Sequence, residues 1–104
     1  MEIIIKHNLE QDKVLECSKN ILEHLRTEHA GKITNIVEVW TGYTSEFSFR
    51  FKSMSIRGTI QVNSDNIKIT GKLPMAAMLF KGLIEETIRR EANKLVKECA
   101  SDTV

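Results

Sequence analysis

Proline occurs once, at Pro74, and the five glycines are scattered through 104 residues. Such a chain has no Pro- or Gly-rich linker, and its length suits a single domain, expected over residues 1–100 with a frayed tail at 101–104. Scattered glycines also exclude a Gly-rich phosphate loop. The two cysteines, Cys17 and Cys99, are too few for a disulfide framework. Both fall near apolar helix faces and read as small buried thiols in a reducing cytoplasm. No apolar run approaches the roughly 18 residues of a membrane span, and the opening MEIIIKHN lacks the basic and apolar regions of a signal peptide. A cytoplasmic protein is the expectation. Excess charge of one sign is missing as well. Fifteen Lys and Arg against fourteen Asp and Glu leave a net charge of +1, which gives no basis for a nucleic-acid surface.

Catalytic and metal-binding chemistry is thinly represented. His24 and His29 are five residues apart and diverge on a helix, while Cys17 and His24 share a face but supply only two ligands. Glu85 and Glu86 are adjacent and also diverge. They read as solvated partners of Arg89 and Arg90 at i, i+4 rather than as an acid and base pair. No Ser or Cys carries a motif that supplies a neighbouring base. The expectation is a non-enzyme with no metal and no cofactor. His7 is the one polar residue singled out, either as a strand-end histidine bonded to backbone or as a polar group at the rim of a binding site.

Periodicity supplies the fold. Glu2 to Lys6 is short and β-branched, a strand. Asn8 with Gln11 three residues later resembles a capping box. Val14, Cys17, Ile21, Leu22 and Leu25 then mark an amphipathic helix of about five turns, which Gly31 ends. ITNIVEVW, SEFSFRFK, SIRGTIQV and NIKITGKL follow as four strands separated by short turns, an antiparallel arrangement. Phe47, Phe49 and Phe51 point one way, and Glu46, Ser48, Arg50 and Lys52 the other. Gly58 and Gly71 lie on the apolar faces of their strands, where a missing side chain admits a helix or a bend. Pro74 opens a last helix. The order is β-α-β-β-β-β-α. With one polar sheet face, both helices belong on the other, which makes an α+β two-layer sandwich. Phe47, Phe49, Phe51, Ile60 and Ile69 should lie beneath the helices.

The start of the last helix is unusual. Pro74 to Phe80 carries no charge and no polar side chain. On a helical wheel Ala77, Ile84, Ile88, Ala92, Leu95 and Cys99 form a core stripe. Met75, Leu79 and Leu83 fall at i, i+4, i+8 on the side where later turns carry Glu86, Arg90, Asn93 and Lys97. This second stripe has three readings: covered core, a homodimer contact, or a surface for an apolar phase.

The segment VNSDNIKITGKLPMAAMLFKGLIEETIRREANKL resembles a family of small bacterial proteins known as polyhydroxyalkanoic acid system or granule-region proteins. Ile5, His7 and Leu9 match its strand-to-helix junction. Gly58, Ile60 and Val62 match a small-residue strand, and Leu73–Pro74 with Phe80, Gly82, Ile84, Glu85 and Ile88 match its last helix. The overall pattern also resembles a reduced helix-grip (START-like) domain. The family resemblance implies a link to polyester granules without implying an activity. It points to an accessory or binding protein of polyhydroxyalkanoate storage, acting through the apolar patch of Met75, Met78, Leu79, Phe80 and Leu83, with His7 as a further candidate binding residue. The helix-grip resemblance implies instead a lipid-like ligand between the last helix and the sheet, in a cavity lined by Phe49, Ile60, Ile84 and Ile88. A homodimer without ligand is the remaining alternative.

Overall fold

The computed structural model describes residues 1–29 and 31–101. Five strands, β1 (Glu2–Lys6), β2 (Ile33–Thr41), β3 (Thr44–Phe51), β4 (Met54–Val62) and β5 (Asn66–Lys72), form one antiparallel sheet in the order β1-β5-β4-β3-β2. Helices α1 (Gln11–Ser18), α2 (Ile21–Glu28) and α3 (Lys81–Ser101) lie across one face, and a 3-10 helix, Met75–Phe80, leads into α3. This is the α+β sandwich and element order that the periodicity predicts. The frayed tail expected at 101–104 falls, from 102 on, outside the described residues, and Ser101 closes α3.

The core is the inward row of every strand. Phe47, Phe49 and Phe51 are buried as expected, with Ile3, Ile5, Ile56, Ile60, Ile67 and Ile69 beside them. Their outward neighbours Glu46, Arg50, Arg57 and Gln61 are exposed, because side chains alternate along a strand. From the helices, Leu22, Leu25, Ile84, Ile88, Ala92 and Leu95 close the layer.

Three local features depart from the sequence reading. The first helical arm is two eight-residue helices, broken at Lys19 and Asn20. Its capping box does not form: Glu10 is the N-cap, and the Gln11 amide donates instead to Val62 O at 2.9 Å. Gly58 admits no helix. A Cβ there would lie 2.1 Å from Thr70 O and 2.6 Å from Phe47 Cζ, so the neighbouring ring and strand fill the space. In β2 the register slips by one between Thr34 and Val37, with Asn35 at φ 55. This is a bulge with a left-handed residue. Beyond it Glu38 and Trp40 turn inward, and Val37 and Val39 face water, 58% and 59% exposed.

Cys17 and Cys99 are not free thiols. They form a disulfide between α1 and the last turns of α3, with Cα atoms 6.1 Å apart. Eighty-two residues separate them in sequence, so the pairing exists only once α1 and α3 lie side by side.

Candidate functional site: an apolar promontory

Pro74, with φ −62 and ψ 158, enters from β5 in an extended conformation and accepts a hydrogen bond from Ala77 N–H at 2.8 Å. That bond begins a 3-10 turn, in which residues three apart eclipse one another. The segment therefore has three faces: Met75 with Met78, Ala76 with Leu79, and Ala77 with Phe80. Only the last faces the protein. Ala77 is fully buried, and Phe80 meets Phe51 edge-on with centroids 6.2 Å apart. The Lys52 ammonium sits 4.6 Å from the Phe80 ring centroid, within range of a cation–π contact.

The other two faces stand in water. Met75 is 90% exposed, Leu79 88%, Leu83 56% and Met78 52%. Of the three readings of the stripe, covered core is the one that fails among the described residues: the first helical arm, β1 and the curved sheet end leave it exposed. The cost of leaving these side chains wet is offset by the anchoring face, which fixes the promontory from beneath.

A family model described as "Putative polyhydroxyalkanoic acid system protein" matches residues 1–96. The chain belongs to this family. No curated protein and no solved structure matches it significantly.

In this member of the polyhydroxyalkanoic acid system family the remaining sequence-derived candidates lie elsewhere. His7 is not at the promontory. It ends β1 beside the β4–β5 turn, where Nδ1 accepts from Leu9 N–H at 3.2 Å and Nε2 donates to Asn63 O at 3.1 Å. Asn66 and Lys72 bound β5, so His7 and the promontory sit at opposite ends of a strand about 20 Å long. Both ring nitrogens hold backbone, which is a structural role. Phe49, Ile60, Ile84 and Ile88 all lie in the core between α3 and the sheet. The space left beside Phe49, Ile84 and Ile88 is about 20 Å3, room for one water rather than the roughly 300 Å3 or more of a ligand pocket. Glu85 and Glu86 do pair with Arg89 and Arg90, at 3.9 and 3.5 Å.

Sequence reasoning missed two polar features. Glu38, turned inward by the bulge, is half-buried. Burial pushes its pKa up, and the Trp40 indole offsets part of that rise. Glu91 is buried on α3, and its Oε2 has no hydrogen-bond partner among the described residues. It also missed Lys52, whose place over Phe80 follows from the β3–β4 turn. Lys52 and Ser53 both take positive φ there, 51 and 67, the geometry of a two-residue hairpin turn.

Proposed function

We propose that this protein is a non-enzymatic accessory protein of the polyhydroxyalkanoate system that attaches to the hydrophobic polyester surface through Met75, Met78, Leu79 and Leu83. Phe80 and Ala77 act as the fixed base of that contact. The observation that carries the reading is the exposure of three large apolar side chains, Met75, Met78 and Leu79, on one uncharged segment, with Leu83 exposed at the start of α3, in a chain of this family. An isolated apolar side chain at a protein surface is ordinary, but a contiguous group marks a contact surface. The scarcity of room beside Phe49, Ile84 and Ile88 weighs against an enclosed lipid-like ligand. On this reading the protein works in the cytoplasm, where a reducing thiol pool would act on the Cys17–Cys99 bridge.

The energetics fit a surface contact of modest strength. Burying Met75 and Leu79 fully is worth about 1.5–3 kcal/mol each. Together they supply about 3–6 kcal/mol, the scale of millimolar binding.

Replacing Leu79 and Leu83 with Glu tests the reading. Both positions are exposed, so stability should change by no more than about 0.5 kcal/mol, while pelleting with polyester particles should be lost. Unchanged pelleting overturns the proposal. A dimer that becomes a monomer in sedimentation, with pelleting intact, assigns the same face to a second copy of the chain.

A further inference from the structure

Ion pairing is unevenly distributed over this molecule. Among the described residues, carboxylates within 4 Å hold Lys19, Arg26, Lys68, Arg89, Arg90 and Lys94. Among the described residues no carboxylate lies within 4 Å of Lys6 or Lys97, nor of six exposed cations gathered at one end: Lys32, Arg50, Lys52, Arg57, Lys72 and Lys81. Their neighbourhood is defined by contacts. Lys52 lies over Phe80, and Lys81 follows Phe80 directly. Lys72 pairs across the sheet with Arg57 and precedes Pro74 by two residues. Lys32, Arg50 and Lys52 line one open cleft of about 340 Å3 with Thr34 and Ser53. Between Glu46 and Glu85 the sequence holds a single acidic residue, Asp65, and that lies in the β4–β5 turn at the far end.

One of these cations sits against local preference. Lys52 occupies a left-handed backbone position that costs a non-glycine residue stability. Charge placed against local rules, around an exposed apolar segment, is the pattern of a surface with an outside partner.

We infer that the promontory docks on an anionic lipid surface, with Met75, Met78, Leu79 and Leu83 entering the apolar layer and the six cations meeting the phosphate headgroups around it. This rests on the proposed attachment to storage polyester and adds an anionic lipid layer to the surfaces that the promontory meets. The net charge of +1 hides the arrangement, because other parts of the molecule are richer in carboxylates, although Glu46 lines a groove with Arg57 and Lys72 and Glu85 follows Lys81 by four residues on α3. An interfacial contact of this kind combines buried apolar area with attraction to anionic lipid.

The test compares two double variants with the same change in net charge. Lys72→Gln/Lys81→Gln removes two cations at the promontory, and Lys6→Gln/Lys97→Gln removes two far from it. Binding is measured by co-sedimentation with vesicles of phosphatidylcholine, with and without phosphatidylglycerol, at low salt. Each cation near an anionic surface is worth about five-fold in affinity, so the first variant should bind the mixed vesicles about 25-fold more weakly and the second close to wild type. Equal losses in the two variants, or no preference of the wild type for phosphatidylglycerol, overturn the inference. Bare polyester particles separate it from the reading beneath it. If they are bound by wild type and by Lys72→Gln/Lys81→Gln, but anionic vesicles are not, the lipid inference fails and the polyester attachment stands. If anionic vesicles are bound and bare particles are not, the polyester attachment fails and the lipid surface stands.

Discussion

Opening the Cys17–Cys99 bridge is the strongest single perturbation available to this fold. The bridge joins α1 to the end of α3 across 82 residues of sequence. In the chain-entropy account a loop of that size removes about 4.5 kcal/mol of denatured-state freedom. Measured effects commonly fall lower, so a loss of about 2–4 kcal/mol is expected on reduction. Set against a total of about 5–15 kcal/mol for a native domain, that is a large fraction. With an unfolding entropy of about 2 cal/mol/K per residue, each kcal/mol moves the melting temperature of a chain this size by about 5 °C. Reduction should therefore lower it by about 10–20 °C. Urea titration followed by Trp40 fluorescence, with and without a phosphine reductant, reads the same quantity as a midpoint shift. A Cys17→Ala/Cys99→Ala variant should sit near the reduced protein and ignore reductant. Coincident midpoints for oxidised and reduced protein would refute the reasoning, as would two reactive thiols in the air-oxidised folded state.

Two further outcomes follow from positions where the packing leaves little choice. Gly58→Ala should destabilise by at least about 1–3 kcal/mol, the usual cost of overpacking, because the new methyl meets Thr70 O and the Phe47 ring; a urea midpoint equal to wild type would show that the strand pair can part there. Glu38→Gln should stabilise the protein more at pH 7 than at pH 4. Burial raises the folded-state pKa of Glu38 above its usual 4.5, so its contribution is complete below the unfolded pKa and is lost as pH rises through the folded value, a loss the amide does not suffer. A stability gap that shrinks between pH 4 and pH 7 would contradict this.

How much of this was legible depends on the range over which each feature is decided. The Phe47-Ser48-Phe49-Arg50-Phe51 alternation is local, and it fixed both the strand and its buried face. Pro74 and the uncharged run after it are local too, so the promontory was visible as an anomaly. Its exposure was not, because that depends on how far α1 and α2 extend over the sheet. Its internal period also differed. A 3-10 turn groups Met75 with Met78, whereas an α-helical wheel groups Met75 with Leu79. The break at Lys19 and Asn20 carries no Gly or Pro to announce it. The disulfide joins the two ends of the element order, and nothing near either cysteine specifies its partner. The cluster of unpaired cations could have been found, since the acid-poor stretch from Phe47 to Ile84 is plain in the sequence. Composition averaged it away.

The extra residue at Asn35 gives β2 two reading frames. Up to Thr34 the strand answers to α2 and the core through Ile33. After the bulge, odd-numbered positions look outward, and Val37 and Val39 are released from any packing duty. Drift at those two sites should be tolerated in relatives of this chain. Loss of Asn35 itself would only remove the bulge, leaving Ile36 alone opposite Phe49, with Val37 still paired outward to Ser48 and Glu38 and Trp40 still turned inward. The strand can therefore change length by one residue at the bulge and keep its faces, whereas the same loss within the regular ladder from Val37 to Thr41 would turn over every side chain on one side of it.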